Sequence, residues 1–282
     1  MVSIETIFSF KNLLKKINCT NYDFREKKFY INPTDKINYL FNSSIQGIEE
    51  SDLVLLIGCN PRYEATMVNA RLRKSVVKNK TPIYSIGNPG DLTYEYTLLG
   101  DDINELKNVI EGKSIINEKL KSAKKPIFII GESALEAKNA KYILNEIKNF
   151  LIKNNFINDT WNALNILIQN ASTVGAIDLK FYNIKDENNF IFFDKLKNQD
   201  FKLLYLVGSD NLEIKKDNQF IIYQGSHGDR NAEIADVILP SPAYTEQDGF
   251  FTNLEGRIQE CRKASYPTNE SMEDWKIFNL IS

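Results

Sequence analysis

The sequence predicts an α/β fold built on a parallel, doubly wound sheet. Three observations carry that expectation. Six short apolar runs do not alternate with polar residues, as strands buried on both faces should not. Four of these runs end in glycine where a strand must turn into a loop, at Gly58, Gly87, Gly131 and Gly208. Between them lie stretches of helical periodicity, and strands alternating with helices read as βαβ units.

In chain order, the first element is an amphipathic helix. Ile7, Phe8, Phe10, Leu13, Leu14 and Ile17 recur at helical spacing. The stretch contains Glu5 and no Arg, unlike an Arg-rich, acid-poor transit peptide, so it reads as the first helix of the fold. The predicted strands are LVLLIG (53–58), PIYSIG (82–87), PIFIIG (126–131), KLLYLVG (202–208), FIIYQG (220–225) and ADVILP (235–240). Helices are predicted over 61–78, on Ala65, Val68, Leu72 and Val76, and over 134–152, on Ala137, Ala140, Ile143, Leu144, Ile147 and Leu151. A third is predicted over 160–172, on Ala163, Leu164, Leu167 and Ile168. The last helix is expected to start near Ser271-Met272-Glu273-Asp274, with Ser271 and Asp274 three apart in a capping-box-like arrangement. The polar, Asn-rich stretch 182–198 is expected to be the most mobile. A division near residue 200 would give a Rossmann-like region, 1–200, and an α/β continuation, 201–282.

Composition narrows the function. The 282 residues are 43% hydrophobic and 26% charged, enough apolar material for a sizeable core. A net charge of −2 gives no electrostatic case for nucleic acid or an anionic membrane surface. The apolar runs fall far short of the roughly 20 residues of a membrane span. Cys19, Cys59 and Cys261 are scattered and form no CxxC pair. Three such thiols cannot supply the four ligands of an iron–sulfur cluster or a structural zinc, and they favour a reducing compartment. A single histidine, His227, excludes His-rich metal sites and leaves little room for a triad.

Four motifs could carry chemistry. Gly58-Cys59-Asn60-Pro61-Arg62-Tyr63-Glu64 follows a strand and opens a helix, where free amides can hold a phosphate. Read plainly, it is a βα turn with Asn60 as N-cap and Pro61 in the first helical turn. The cations of Asn69-Ala70-Arg71-Leu72-Arg73-Lys74-Ser75 could grip an anion, but a solvated face or an interface is the preferred reading. In Gly225-Ser226-His227-Gly228-Asp229 the glycines suggest unusual backbone angles, and His227 reads as a structural residue. There, adjacency alone gives Ser226 no side-chain pairing with His227. In the run from Glu246 to Gln259, Glu255 and Arg257 lie two apart on an expected strand and would share a face.

Together, GCNPRYEA, NARLRKS, GNPGDLTYEYTLLGD, AKKPIFIIGESAL, IIYQGSHGD, IADVILPSPAYTEQDGFFTNLEGRIQ and EDWKIF closely resemble the large iron–sulfur subunit of respiratory complex I, from about residue 35 to 282. The wider relatives are the molybdopterin oxidoreductases, which share ADVxLP and the pattern Asp248, Gly249, Asn253, Glu255, Gly256, Arg257. The resemblance implies a degenerate molybdopterin-oxidoreductase-type fold. It implies no catalytic, cofactor-binding or metal residue in this chain, with Gly58, Asn60 and Arg257 as inherited scaffold positions. In active relatives the loop after the second strand often carries an acid that reads the cofactor's guanine. Here Ser85-Ile86-Gly87-Asn88-Pro89 offers none before Asp91.

The expected role is a non-catalytic structural subunit of mitochondrial complex I (NADH:ubiquinone oxidoreductase), the split carboxy-terminal half, peripheral on the matrix side of the inner membrane. Its partners would be the cluster-bearing amino-terminal half and neighbouring matrix-arm subunits. The iron–sulfur clusters would lie on that other half, and no activity is expected of this chain alone. Such a subunit should bury Phe8, Leu13 and Leu14, either in its own domain or against the other half. The alternative is a carboxy-terminal fragment of an active molybdopterin oxidoreductase completed by another chain. A third reading is a free-standing nucleotide-binding module.

Overall fold

A computed structural model describes residues 2–182, 190–228 and 230–282. They fall into two compact units, Phe29–Gln169, and Met1–Lys28 with Asn170–Ser282. The division expected near residue 200 thus falls inside the second unit. Residues 183–189 of the stretch expected to be mobile, and Asp229 of the Gly–His motif, lie outside the described residues. Residues 191–197 of that stretch form a regular helix, Ile191–Lys197.

The unit Phe29–Gln169 is built on a five-stranded parallel sheet. Its strands are β1 (Leu53–Ile57), β2 (Ile83–Ile86), β3 (Thr97–Gly100), β4 (Pro126–Gly131) and β5 (Leu164–Leu167). They lie in the order β3-β2-β1-β4-β5. From β1 the chain builds outward through β2 to β3, then crosses back to β4 and β5 on the other side. Right-handed crossovers in opposite directions place helices on opposite faces, which is double winding. Every residue of β1, β2, β4 and β5 is buried, the burial pattern of a sheet covered on both faces.

Three details depart from the sequence reading. The helix expected over 61–78 breaks at Ala65 into Pro61–Glu64 and Thr66–Asn79. The one expected over 134–152 forms as Glu132–Leu135 and Ala140–Lys153. The stretch expected as a helix over 160–172 holds strand β5 instead. Ala163, Leu164, Ile166 and Leu167 are each at most 2% exposed. A short apolar run of this kind satisfies either period, and here pairing with β4 decides it. Asn165, fully buried in that strand, accepts from the Ser43 amide at 2.9 Å and so helps to close the sheet's edge. Edge strand β3 has no apolar run to announce it, since two of its four residues are exposed.

The second unit holds a three-stranded parallel sheet, β6 (Leu203–Val207), β7 (Phe220–Gly225) and β8 (Val237–Pro240), in the order β6-β7-β8. Leu204, Leu206, Ile221 and Tyr223 form the core on one face. Strand β8 is not the fully buried strand its sequence suggests: Ile238 is 53% exposed. An antiparallel hairpin follows, β9 (Gly249–Thr252) with β10 (Ile258–Cys261). Helix Ile4–Lys16 is capped by Ser3, whose hydroxyl accepts from the Thr6 amide. It buries Ile7, Leu13 and Leu14 within the chain, whereas Phe8 is 55% exposed. The inward stripe runs through Phe10, which stacks on Phe278 at 4.6 Å.

Phe278 belongs to the last helix, Asp274–Ile281, which begins within the expected stretch, at Asp274. Asp274 does not serve as a capping-box acid. It is buried, and its carboxylate accepts from Gln224 Nε2 at 2.7 Å. Ser271 instead donates to the Thr268 carbonyl at 2.8 Å.

Burial holds the Asp274 carboxyl above the ordinary carboxylate range, against the lowering effect of its hydrogen bonds. A raised folded pKa means that the unfolded chain loses this proton first, so stability falls as pH rises from the usual carboxylate value toward the folded one. Below that window both states hold the proton and the effect vanishes. Asp274→Asn should therefore be more stable than the parent at neutral pH, with a difference that shrinks on acidification. Urea denaturation at a series of pH values measures it, and a pH-independent difference would contradict the assignment.

Candidate functional site

In an open α/β sheet a ligand binds outside the carboxyl ends of the strands, where the strand order reverses. Here that point lies between β1 and β4. The Gly58–Glu64 loop leaves β1 there, and Gly131-Glu132-Ser133 leaves β4.

The two loops close on each other. A Cβ on Gly131 would overlap the Gly58 carbonyl oxygen and Cys59 Cβ, and would lie 2.9 Å from Cys59 Cα. Ser133 Oγ donates to that same Gly58 carbonyl. Gly58 itself takes φ +55°, a backbone that favours glycine. Glu132, fully buried, accepts from the Gln169 amide at 2.8 Å through Oε1. The Cys59 thiol points inward, toward the Ile129 carbonyl. Burial first, and then the Glu64 charge, push its pKa well above the ordinary thiol range, so it stays a neutral thiol, a poor nucleophile and a poor metal ligand.

Two amides of the Gly58–Glu64 turn are engaged by side chains of the same turn. Asn60 is the N-cap, its side-chain oxygen accepting from the Arg62 amide at 3.1 Å. The Asn60 amide donates to Glu64 Oε1 at 3.1 Å. A carboxylate of the chain thus sits where an anionic ligand would have to approach. Asn60 Nδ2 donates to the Pro89 carbonyl at 2.6 Å, tying this loop to the one after β2. Asp91, the first acid after β2, is held by Arg62 at 2.5 Å. The Thr93 amide and then Arg62 keep its carboxyl below the usual range. Beside this crevice, then, the Asn60 and Arg62 amides are taken up by the chain's own side chains, and the acid Asp91 and the cation Arg62 are spent on each other. A pterin dinucleotide does not fit these residues.

The remaining motifs are structural as well. Arg71 and Lys74 both pair with Glu49, and these two contacts hold the Glu49 carboxyl below its ordinary range. They pin helix Thr66–Asn79 to the turn Gln46–Glu50. Ser226 Oγ does lie 2.8 Å from His227 Nδ1, a contact that adjacency alone had not suggested. The pair is exposed, and among the described residues no carboxylate bonds to the ring, so the third member of a triad is not in place. Gly225 and Gly228 do not take positive φ. Gly225 is required for space, because a Cβ there would meet the Tyr223 hydroxyl at 2.5 Å. Glu255 lies in the turn between β9 and β10, not on a strand, so it shares no strand face with Arg257. Asn253 organises that turn, its Oδ1 accepting from the Glu255 and Arg257 amides at 3.0 and 2.9 Å. Gly256 completes it at φ +80°. Among the described residues no group of three or more His, Cys, Asp or Glu side chains is placed to hold a metal ion.

Sequence reasoning found Gly58 and Asn60 at the switch point but missed Glu64 and Ser133, which close it. Glu64 was in view within the motif, and its spacing from Asn60 was the available signal. Replacing Gly131 with Ala should cost about 1–3 kcal/mol, since the loop backbone must move to admit the methyl group. Gly228→Ala, with nothing within 4 Å of its Cβ position, should change stability by under about 0.5 kcal/mol. Chemical denaturation of the two variants compares them, and equal stabilities would refute the closed contact.

The molybdopterin oxidoreductase profile matches residues 1–282. The chain is 38% identical over 288 residues to the mitochondrial NADH-ubiquinone oxidoreductase 78 kDa subunit of Candida albicans, covering 100% of this chain and 38% of that protein. It is 37% identical over 296 residues to the NADH-ubiquinone oxidoreductase 75 kDa subunit of Reclinomonas americana, covering 100% and 42%. It is 38% identical over 283 residues to an NADH-quinone oxidoreductase subunit of Rickettsia bellii, covering 100% and 40%. The chain thus spans about two fifths of the length of these curated relatives. A match that runs along the whole chain, on a doubly wound parallel sheet, places this protein in the molybdopterin oxidoreductase family.

Proposed function

We propose that the chain is a non-catalytic, structural part of respiratory complex I, supporting electron transfer from NADH to quinone. In this reading it is the carboxy-terminal portion of the large iron–sulfur subunit, on the matrix side of the inner mitochondrial membrane. Its partners are the cluster-bearing amino-terminal portion and neighbouring matrix-arm subunits. Electron tunnelling requires clusters held at fixed distances, and a large packed α/β body supplies that rigidity.

The observation that carries the reading is the closed switch point, in a chain whose full-length matches include NADH-quinone oxidoreductase subunits. A family scaffold whose ligand crevice is filled by its own Glu64 and Ser133 is suited to packing and not to turnover. No helix among the described residues is long and apolar enough to cross a membrane, which accords with a peripheral place.

The test is native isolation of the assembly containing this chain, with mass-spectrometric identification of its companions and metal analysis. The expected result is co-purification with iron–sulfur subunits of an NADH:quinone oxidoreductase, with iron present and molybdenum and tungsten far below one per chain. Stoichiometric molybdenum or tungsten, or a pterin fluorophore released on oxidation, would instead establish the active-enzyme reading.

A further inference from the structure

The unit formed by Met1–Lys28 and Asn170–Ser282 contains a cavity of about 290 Å³. It opens over the carboxyl end of β6, where Gly208, at φ +55°, turns the chain into Ser209 and Asp210. That is where parallel α/β sheets bind ligands, and the volume sits at the lower edge of small-molecule sites, roughly 300–1,000 Å³. None of the motifs read from the sequence touches this place.

The walls are aromatic. Phe10, Phe181, Phe192 and Tyr205 line the cavity, and Phe10 contacts Phe181 and Tyr205 at 5.7 and 5.4 Å between ring centres. The charges are unbalanced. Arg25 is the only cation lining the cavity among the described residues, and it is already committed. Its Nε and terminal nitrogen both donate to the Asp23 carboxylate, at 2.9 and 2.7 Å, with both side chains only 4% exposed. Its guanidinium also lies over the Phe193 ring at 5.2 Å.

Two other carboxylates line the cavity without a cationic partner among the described residues. Glu26 accepts only from neutral amides, those of Asn170 and Asn211, at 3.4 Å. Asp210 accepts from the Tyr223 hydroxyl at 2.5 Å. Among the described residues, an anion entering here would meet two carboxylates without a cationic partner and no cation but the paired Arg25. An organic cation would gain both carboxylates and the π-faces of the walls.

We propose that this cavity is a binding site for a small organic ammonium ion with an apolar, aryl- or alkyl-bearing body. Its polarity is opposite to that needed for the phosphates of a nucleotide or pterin cofactor. The proposal does not rest on the complex I reading, because it concerns the chain alone.

Ligand-observed NMR and calorimetric titration of the full 282-residue chain test it with two probes of similar body and opposite charge. Benzyltrimethylammonium should bind saturably and benzoate should not. Glu26→Gln and Asp210→Asn, each checked for folding by circular dichroism, should each weaken the cation about five- to tenfold, as loss of one nearby charge predicts. Phe192→Ala should weaken it through the wall, leaving the preference for cation over anion intact. Benzoate binding as tightly as the cation, cation affinity unchanged in both folded carboxylate variants, or no saturable cation binding would each overturn the assignment.

Discussion

The unit Phe29–Gln169 depends on one contact between backbones. Gly131 ends β4 directly against Gly58, which follows β1, so closely that no side chain fits between them. These two strands are central in the sheet, and they pair along five residues from Leu53↔Pro126 to Ile57↔Ile130. The register fixes where both strands stop, and the absent Cβ lets both loops leave at the same level. The Ser133 bond to the Gly58 carbonyl and the inward Cys59 thiol follow from that closeness. The helices that start from the two loops, at Pro61 and Glu132, inherit their positions from it.

Much of this was legible in the sequence because buried parallel strands are written as unbroken apolar runs. LVLLI, IYSI and PIFIIG each lie where a run and a closing glycine placed them. The errors share a physical origin. Residues 160–172 carry a short apolar run compatible with two periods, and only the open edge of β4 selects a strand. The last helix starts where expected, but the capping role read for Asp274 does not form, because the side chain is buried against Gln224 instead. Phe8 was expected inward because periodicity gives a stripe but not its width. The observed stripe runs through Ile7, Phe10 and Leu14 and leaves Phe8 outside.

The site was legible in its location and not in its state. Gly58-Cys59-Asn60-Pro61 marks a strand-to-helix turn in any sequence. Whether its amides are free is decided by Glu64, four residues on, and by Pro89, which arrives from another loop. The cavity over β6 left no sequence signal at all. Its walls come from the first helix, the segment around Asp23 to Glu26, Asn170 to Phe181, Phe192, and Tyr205 to Leu212, brought together only by folding.

The two carboxyl-end regions show opposite uses of negative charge. At a helix start the partial positive charge of the free amides favours an anion, typically by about 0.3–1 kcal/mol near the surface. A site that binds phosphate must leave that interaction unmade in the free protein, and a carboxylate placed there would compete with the ligand. The Asn60 amide instead bonds to Glu64, so the folded chain uses that amide itself. At β6 the one cation among the described lining residues, Arg25, is held by Asp23, and the acids Glu26 and Asp210 remain beside open volume. In the first case a charge closes a site by completing the fold's own hydrogen bonds. In the second, charge left uncompensated beside aromatic walls fixes the sign of what the space can hold.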